Sequence, residues 1–376
     1  MELNNKEQAA EFLNLGLQNL ANGNFQGALH YFSGAIKLNP DCSDAYHNRG
    51  VCFLNLNNSD AAINDFSHFL ASNPNDRFAL HYRGVAHNRK GDYGLAVADL
   101  SRAAELNDGN ANVFFQRGVA YTNLGGFESN DKAIQDFESY DKAIQDFNKV
   151  IELAPDYHLG YSYRALCYYQ KGDYDQAVQD SGKAIELKND DTLAYLSRAK
   201  AFSKKGDFDK AIKDFDRVAE LYPDDASVYF DRAKAYHEAG KYEQAVRDFT
   251  ESIRLGNTEL YLSYHNRAVS YYNWSVYDKA VEDYSKAIEL NPNFFDAYLN
   301  RGAVYAEQKN DYGAIKDFSK AIELNPHSIQ AYQNRAIVYE RNGSAAEAEA
   351  DYRKIAEMRN FLRDPMFYGL PGYTPI

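Results

Sequence analysis

Arginine and aspartate recur along this 376-residue chain at matched intervals, and the two residue types suit an ion pair. Each of nine arginines is followed by an aspartate at the same interval, except for one pair in which the interval is longer. A guanidinium presents a planar fork of donors that both oxygens of a carboxylate can accept. The pairs are Arg49 and Asp65, Arg83 and Asp99, Arg117 and Asp146, Arg164 and Asp180, Arg198 and Asp214, Arg232 and Asp248, Arg267 and Asp283, Arg301 and Asp317, and Arg335 and Asp351. Because each arginine brings its own countercharge, we interpret them as structural ion pairs; the alternative is an arginine ladder for an acidic ligand.

No other set of reactive residues forms a catalytic or metal-binding motif. The chain has no Gly-rich phosphate loop at a strand–helix junction and no His-Glu-x-x-His sequence. His47 and His81 could share a metal, but two ligands without a neighbouring carboxylate do not make a site. The sequence therefore predicts no enzyme activity, no metal and no cofactor.

Composition restricts the partners. Fifty-four acidic and 41 basic residues give a net charge of −13, which repels phosphate backbones and anionic membrane surfaces. No apolar run is long enough to span a bilayer, and three scattered cysteines suit a reducing compartment. We therefore expect no nucleic acid binding, no membrane insertion, neutral or basic protein partners, and an intracellular, cytoplasmic location.

The elements that carry the ion pairs follow from a repeat period of about 34 residues, read from recurring segments. The segment KAIELNP occurs at 286–292 and again at 320–326. The inferred repeats start at residues 9, 43, 77, 111, 158, 192, 226, 261, 295 and 329. Position 4 is aromatic or Leu, position 8 is Gly or Ala, position 20 is mostly Ala, position 24 is mostly aromatic, and position 32 is often Pro.

This pattern predicts two helices in each repeat. Positions 4, 8 and 11 share one helical face, on which a small residue between bulky ones lets another helix approach closely. A glycine at position 15 is predicted to end the first helix in a left-handed conformation, at Gly23, Gly91, Gly125, Gly172, Gly206, Gly240 and Gly343. Proline then ends the second helix. A hairpin of this size cannot bury its apolar face alone, so neighbouring hairpins must stack.

The repeat resembles the tetratricopeptide repeat, through its aromatic residue at position 4, small residue at 8, Tyr at 11, Ala at 20, Phe at 24 and Pro at 32. The resemblance covers residues 9–359 and implies an all-α fold, an α-solenoid of about ten repeats that form a superhelix. It also implies that the chain binds other proteins, which is the usual work of this family. Residues 1–8 are predicted to be a frayed polar extension.

Repeat four contains an insertion at about residues 127–139. Glu128–Phe137 recurs as Glu138–Phe147 with one difference, and only the second copy is in register with Pro155. A shift of ten residues turns a helical face by about 80°, so both copies cannot face the same neighbour. The insertion is either a tolerated surface loop or a helical spur whose Ile134 and Phe137 dock on a partner.

The resemblance places the first helices along a concave groove, to which positions 2, 5, 6, 9, 12 and 13 contribute. Carboxamides both donate and accept hydrogen bonds, so a row of them could hold the backbone of an extended peptide, with aromatic side chains adding apolar area. The alternative is that asparagine is merely tolerated at a half-exposed position. The predicted groove residues are His47, Asn48, Phe78, His81, Tyr82, Phe115, Gln116, Asn123, Tyr163, Tyr169, His265, Asn266, Tyr272, Asn273, Asn300 and Asn334.

Tetratricopeptide co-chaperones hold the C-terminal carboxylate of a heat-shock protein with lysine, asparagine and arginine at set positions of three repeats. Asn48 matches one of these positions. Repeat one has Leu13 and Leu17 where Lys and Asn are needed, repeat three has Phe78 and Tyr82, and no repeat has a lysine at position 2. The sequence therefore argues against carboxylate-clamp binding.

The last segment, residues 360–376, is apolar and contains three prolines, so we expect an extended tail. It either caps repeat ten or docks on a partner or on a second copy of the chain, giving self-association. Its candidate docking residues are Phe361, Met366, Phe367, Tyr368, Leu370, Tyr373 and Ile376. Two functions remain open: a scaffold that binds an extended peptide in its groove, and a structural assembly component, cytoskeletal or ciliary, that uses its outer surface, insertion and tail.

Overall fold

The computed structural model describes residues 2–107, 109–126 and 133–362, with the side chains of residues 4–107, 109–126 and 137–359. These residues form twenty α-helices and no strand, which confirms the all-α prediction. The odd-numbered helices are the first helices of the repeats: α1 (Glu2–Ala21), α3 (Ser43–Asn55), α5 (Arg77–Lys90), α7 (Ala111–Leu124), α9 (His158–Gln170), α11 (Thr192–Lys204), α13 (Ala226–Glu238), α15 (Leu260–Asn273), α17 (Phe295–Glu307) and α19 (Ile329–Arg341).

The even-numbered helices are the second helices of the repeats. They are α2 (Phe25–Leu38), α4 (Ser59–Ser72), α6 (Tyr93–Leu106), α8 (Ala133–Leu153), α10 (Tyr174–Leu187), α12 (Phe208–Leu221), α14 (Tyr242–Arg254), α16 (Tyr277–Leu290), α18 (Asp311–Leu324) and α20 (Ala345–Leu362). In repeats two to ten the first helix begins within one residue of the repeat start that the sequence period gives.

Both ends of the chain differ from the sequence prediction. Helix α1 begins at Glu2, so the segment predicted to be frayed is helical, and Ala9, which follows that segment, is buried. Helix α20 runs to Leu362, three residues into the segment assigned to the tail. The side chain of Phe361, and Met366, Phe367, Tyr368, Leu370, Tyr373 and Ile376, lie outside the described residues.

The left-handed residue after the first helix is present in nine repeats, though not always as glycine. Six of the seven predicted glycines have φ between +72° and +89°. Gly125 was predicted wrongly, because its φ is −74° and the segment that follows it carries the insertion. Asn57, Ser275 and Lys309 take the left-handed conformation without being glycine. The turn is therefore set by the helix packing and not by the residue type alone.

The helices form two compact units, Met1–Lys205 and Gly206–Ile376. Within each unit every helix contacts the next helix along the chain. First helices also contact the first helix of the next repeat, as α5 contacts α7 in one unit and α15 contacts α17 in the other. Each unit is thus a stack of helical hairpins, the arrangement of an α-solenoid.

The small residue at position 8 packs against the aromatic or Leu at position 24 of the same repeat. A Cβ added to Gly118 would lie 2.8 Å from the ring of Phe147, and one added to Gly302 would lie 2.8 Å from the ring of Phe318. Both rings are at most 1% exposed. The close approach of the two helices that the pattern predicted is therefore the centre of each hairpin's core.

Eight of the predicted ion pairs form bidentate salt bridges in the described residues. In each, Nε and Nη2 of the arginine donate to the two carboxylate oxygens, at 2.6–2.9 Å. They comprise Arg49–Asp65, Arg83–Asp99, Arg117–Asp146, Arg164–Asp180, Arg232–Asp248, Arg267–Asp283, Arg301–Asp317 and Arg335–Asp351.

The same arginines also bond to the preceding repeat, which the sequence analysis missed. Nη1 of Arg301 donates to Ser285 Oγ at 2.8 Å, and Nη1 of Arg335 donates to Ser319 Oγ at 2.9 Å. Equivalent contacts reach Ser33, Ser67, Ser101, Asn148, Asp216 and Thr250. Each of these arginines therefore joins three helices, two from its own repeat and one from the repeat before it.

The insertion in repeat four extends the second helix. Helix α8 has 21 residues, whereas the second helices of repeats five to nine have 13 or 14. Phe147 of the in-register copy is fully buried, while Phe137 of the other copy is 50% exposed. The helix is continuous from Ala133, and the rotation between the two copies leaves Phe137 outside the hairpin core. The side chain of Ile134 lies outside the described residues.

Among the described helices, none combines the length and the apolar composition that a membrane span requires.

Candidate functional site

Two adjoining pockets lie between first helices of the second unit. The α13–α15 pocket has a volume of about 130 Å³ and the α15–α17 pocket one of about 250 Å³. The α13–α15 pocket is lined by Lys234, His237, Glu238, Phe249, Asn266 and Val269. The α15–α17 pocket is lined by Val269, Tyr272, Asn273, Tyr284, Asn300 and Ala303. Val269 belongs to both pockets, so they form one row.

The two pockets are built from equivalent repeat positions. Positions 9, 12, 13 and 24 of one repeat supply four of the lining residues, and positions 6 and 9 of the next repeat supply the other two. These are four of the six positions that the sequence analysis assigned to the groove, together with the position-24 ring of the hairpin core. A single repeat cannot make the pocket, because its far wall belongs to the next first helix.

A chain of hydrogen bonds fixes the orientation of the side chains between the pockets. Ser270 Oγ donates to the carbonyl of Asn266 at 3.0 Å, so Nδ1–H of His237 is the donor to Ser270 Oγ, also at 3.0 Å. His237 Nε2 then accepts from Nδ2 of Asn273 at 3.4 Å. Asn266 Nδ2 donates to the carbonyl of Leu262 at 2.8 Å. Both carboxamides thus use their nitrogen within the fold and keep Oδ1 as an acceptor.

The residues that line the α15–α17 pocket are uncharged, and nearby carboxylates act on its two tyrosines. Burial, followed by the nearby carboxylate of Glu307, raises the pKa of Tyr272. Burial raises the pKa of Tyr284 as well, and the charge of Asp283 adds to that effect. Glu307 is exposed, lies one helical turn beyond Ala303 on the same face of α17, and makes no ion pair within the described residues.

At position 5 the structure buries two residues that were predicted to face the groove. His81 and Phe115 are more than nine-tenths buried. Phe115 packs edge-to-face on Tyr157 and Tyr163, at centroid distances of 5.3 and 5.4 Å. Phe115 thus packs in the interface between repeats four and five, where it adds to the core. Tyr163 is half-buried beside it.

His265, also at position 5, lies within an aromatic cluster under the α15–α17 pocket. Its ring centroid is 4.8 Å from Phe294 and 5.5 Å from Tyr284. Its Nδ1 atom is buried without a hydrogen-bond partner among the described residues. Burial lowers the pKa of His265 to about 4, against a smaller opposing effect of Asp296. His265 therefore acts as a neutral aromatic ring at neutral pH, not as a ligand contact.

In the first unit, the predicted residues of repeats two and three make a continuous aromatic stack. His47 packs on Phe69 with a centroid distance of 4.9 Å, and Tyr82 stacks on Phe66 at 5.8 Å. Burial lowers the pKa values of His47 and His81. The stack lies between repeats, so the prediction that these rings contact a ligand holds at most for the half-buried His47 and Tyr82.

The predicted carboxamides of the first unit also bond within the fold. Asn48 Nδ2 donates to the carbonyl of Asp44, and Asn123 Nδ2 donates to that of Val119. Gln116 accepts through its main-chain carbonyl from Asn88 Nδ2 at 2.8 Å. These bonds use Nδ2 of Asn48 and Asn123 and leave their Oδ1 atoms as acceptors.

The other predicted residues differ in exposure. Phe78 is 48% exposed, with the guanidinium of Arg77 4.8 Å above its ring. Tyr169 is half-buried beside Tyr174 at 5.8 Å, and Asn334 is half-buried on α19. Asn300 is a lining residue of the α15–α17 pocket, as described above.

A buried polar cluster in the first unit escaped the sequence analysis. His158 Nδ1 lies 2.6 Å from Asp191 Oδ2, and Ser162 Oγ donates to the same oxygen at 2.5 Å. Asp191 also accepts from the main-chain N–H of Ala194 and so caps α11. Because the carboxylate lies between the other two groups, the serine has no base beside it, and the cluster joins two repeats instead of forming a catalytic triad.

The described residues contain no group of three or more His, Cys, Asp or Glu side chains placed to hold a metal ion.

Sequence profiles of known families match most of the chain. Profiles described as tetratricopeptide repeat match residues 13–66, 53–111, 135–157, 196–259, 295–328 and 318–350, and one described as TPR repeat matches 165–206 and 276–309. No curated protein matches the chain.

Solved structures share the fold at low sequence identity. A tetratricopeptide repeat protein from Parabacteroides merdae ATCC 43184 is 21% identical, with a TM-score of 0.50, over 66% of this chain and 93% of that one. Yeast Tom70 is 17% identical, with a TM-score of 0.44, over 94% of this chain and 92% of that one. YrrB, described as a TPR protein with an unusual peptide-binding site, is 20% identical, with a TM-score of 0.44, over 49% of this chain and 95% of that one.

Proposed function

The chain belongs to the tetratricopeptide repeat family, and from this premise we propose that it is a non-enzymatic scaffold that binds an extended segment of a partner protein in its groove. The observation that carries the proposal is the row of two pockets between α13, α15 and α17. Their equivalent construction gives a ligand the same kind of contact once per repeat, which suits an extended chain. We further propose a cytoplasmic location.

The binding mode follows from the free carboxamide oxygens. Asn266 and Asn273 each keep Oδ1 as an acceptor after their nitrogens have bonded within the fold, and Asn300 of the facing helix α17 adds a third carboxamide to the pocket lining. The main-chain N–H groups of a bound peptide could donate hydrogen bonds to these oxygens. Val269 and the Tyr272 ring supply apolar surface between these acceptors. The groove would therefore recognise the backbone of a segment with modest demands on its side chains.

The test uses random dodecapeptides displayed on phage and selected on the full chain. Enriched peptides are then measured by fluorescence anisotropy against the double variant Asn266→Ala/Asn300→Ala. We expect at least about a tenfold loss of affinity, because each lost hydrogen bond contributes about 1 kcal/mol. Asn293→Ala, at an exposed asparagine in the turn before α17, is the matched control and should leave affinity unchanged. Equal affinity of the double variant and wild type would contradict the groove as the binding site.

A second candidate function is supported by one observation, the exposed Phe137 on the extension of α8. In this alternative the chain is a structural assembly component, cytoskeletal or ciliary, whose outer surface, insertion and C-terminal tail make the contacts. Phe137→Asp, or removal of residues 363–376, should then abolish assembly in a co-sedimentation or size-exclusion assay, with self-association included as a readout. The groove double variant should assemble normally under this alternative.

A further inference from the structure

The α15–α17 pocket has the size of a single side chain. Its volume of about 250 Å³ is below the roughly 300–1,000 Å³ of sites that enclose a whole small molecule. The pocket is open to the groove, and its walls are two tyrosine rings, two carboxamides and two small aliphatic residues. A peptide side chain that enters it would meet aromatic faces and oxygen acceptors.

The α15–α17 pocket offers oxygen acceptors and has no lysine, arginine or histidine among its lining residues. Asn273 donates its Nδ2 to His237 and keeps Oδ1, and Glu307 adds a carboxylate at the end of α17. Glu307 lies one helical turn beyond the lining residue Ala303 on the same face of α17, and its carboxylate adds to the effect of burial in raising the pKa of Tyr272. A ligand that fits this arrangement must carry several donors and a positive charge.

The neighbouring pocket supplies an internal comparison. In the α13–α15 pocket Lys234 stands where the other pocket has Val269, and Glu238 stands where it has Asn273. The Nζ atom of Lys234 lies 5.7 Å from the centre of the Phe230 ring. The lining of that pocket therefore already contains a cation, Lys234, whereas the lining of the α15–α17 pocket contains two tyrosine rings and no cation.

We propose that the α15–α17 pocket binds the guanidinium of an arginine in the extended partner segment, stacked on Tyr272 and paired with Glu307. This inference rests on the proposed function and names the chemistry of the partner. A guanidinium suits the pocket better than an ammonium, because it is planar, stacks on aromatic rings and donates in several directions. The net charge of −13 favours the approach of such a basic segment.

The experiment starts from the peptides selected on the full chain. The selected set should be enriched in arginine at one fixed position. Replacement of that arginine by citrulline, a neutral side chain of nearly the same shape, should weaken binding to wild type at least about tenfold. For the Glu307→Gln variant the same replacement should have a clearly smaller effect. Glu282→Gln, at an exposed position of the second helix α16, is the matched control and should behave like wild type.

Salt gives an independent readout. Raising NaCl from about 50 to 500 mM should weaken binding of the arginine peptide to wild type more than to Glu307→Gln, because the salt screens the charge pair. Circular dichroism in the far ultraviolet checks that the exposed Glu307 has been changed without loss of helix.

The outcomes separate the two proposals. Peptides that lose affinity in Asn266→Ala/Asn300→Ala but show no preference for arginine, or that bind equally well with citrulline, would overturn the arginine site and keep the groove. Failure to enrich any peptide, or enrichment that ignores the asparagine substitutions, would overturn the proposed function, and the arginine site with it.

Discussion

The repeated arginine is the residue on which most of the inter-helix polar contacts depend. Arg301 has a side-chain exposure of 16% and Asp317 one of 3%, so both charges are largely removed from water. Burying a charge is unfavourable unless it is paired and hydrogen-bonded. Here Nε and Nη2 of Arg301 donate to the Asp317 carboxylate, and Nη1 donates to Ser285 Oγ. The pairs therefore fix which helices meet, while their net contribution to stability is modest.

Breaking one of these pairs should be costly. Arg301→Ala leaves Asp317 as a buried, unpaired carboxylate, and we expect unfolding free energy to fall by about 3–5 kcal/mol. Urea titration followed by circular dichroism measures this. Lys320→Ala is the control, because Lys320 and Glu323 form a solvent-exposed pair whose loss should leave the unfolding free energy nearly unchanged. A loss of less than about 1 kcal/mol for Arg301→Ala would contradict the account of a buried pair.

His265 should make the stability of the second unit pH-dependent. Above pH 6.5 the residue is neutral both folded and unfolded, so it contributes no pH dependence there. As pH falls from about 6.5 towards about 4, the unfolded chain takes up a proton that the folded one does not, and stability decreases. Asp296 and Tyr284 are the titratable groups facing it. The expected loss at pH 5 is about 1–2 kcal/mol.

The test compares urea midpoints at pH 7 and pH 5. His265→Phe removes the titrating group and loses no hydrogen bond of Nδ1, so the drop in stability between the two pH values should shrink by about 1–2 kcal/mol. His327→Phe, at an exposed turn of the same unit, should leave the drop as in wild type. An unchanged drop in His265→Phe would show that other groups cause the pH dependence.

At the scale of the element, the helical hairpin depends on a close approach that only glycine or alanine permits. Gly118→Ala places a Cβ 2.8 Å from the ring of Phe147, which is fully buried, so the ring or the helix must shift to accommodate it. We expect a loss of about 1–3 kcal/mol in spite of the better helix propensity of alanine. Gly94→Ala, where no atom lies within 4 Å, should instead stabilise the fold by up to about 1 kcal/mol.

The measurement is thermal and urea unfolding of both variants beside wild type. Opposite signs for Gly118→Ala and Gly94→Ala are the expected result, and equal effects would mean that helix propensity, not packing, decides the outcome at these positions.

The turn between two helices offers a stabilising change. Lys309 has φ of +59°, a conformation that is unfavourable for a residue with a Cβ and easy for glycine. Lys309→Gly should therefore raise unfolding free energy by about 0.5–1 kcal/mol, despite the greater entropy of glycine in the unfolded chain. Gly172→Ala, at φ of +81°, is the reverse substitution and should destabilise by a similar amount. The pair is compared by urea midpoints, and a destabilised Lys309→Gly would contradict the prediction.

The extension of α8 shows how an element can carry the same sequence twice with two outcomes. Phe137 and Phe147 stand at equivalent places in the duplicated segment, yet one is half exposed and the other fully buried. The helical rotation between the copies explains the difference, since ten residues do not complete a whole number of turns. Phe137 therefore adds exposed apolar surface to the second helix and does not add to the core.

On the scale of the whole molecule, the main contacts between the described helices of a unit join helices adjacent along the chain and first helices of adjacent repeats. Stability in such a stack is a sum of repeat and interface terms, so a local defect has a local effect. Amide hydrogen exchange of Arg301→Ala should show faster exchange in α16–α19 than in wild type, with α13 and α14 little changed. A uniform increase over all helices of the second unit would show that the unit unfolds as one block.

The sequence determined the repeat, its two helices and the salt-bridge partners, because these depend on local periodicity and on residue pairs that recur together. It placed Asn266, Tyr272, Asn273 and Asn300 on the groove side of their helices, where the structure has pockets. Only the tertiary structure decided which side chains at the groove positions remain accessible. His81 and Phe115 are buried and Phe78 is exposed, because the rotation of each first helix against the next is set by packing between repeats.

The third bond of each arginine, the His158–Asp191 cluster and the unpaired state of Glu307 within the described residues also join or separate residues of different repeats. No period within a single repeat encodes such contacts, since they depend on the relative placement of two hairpins.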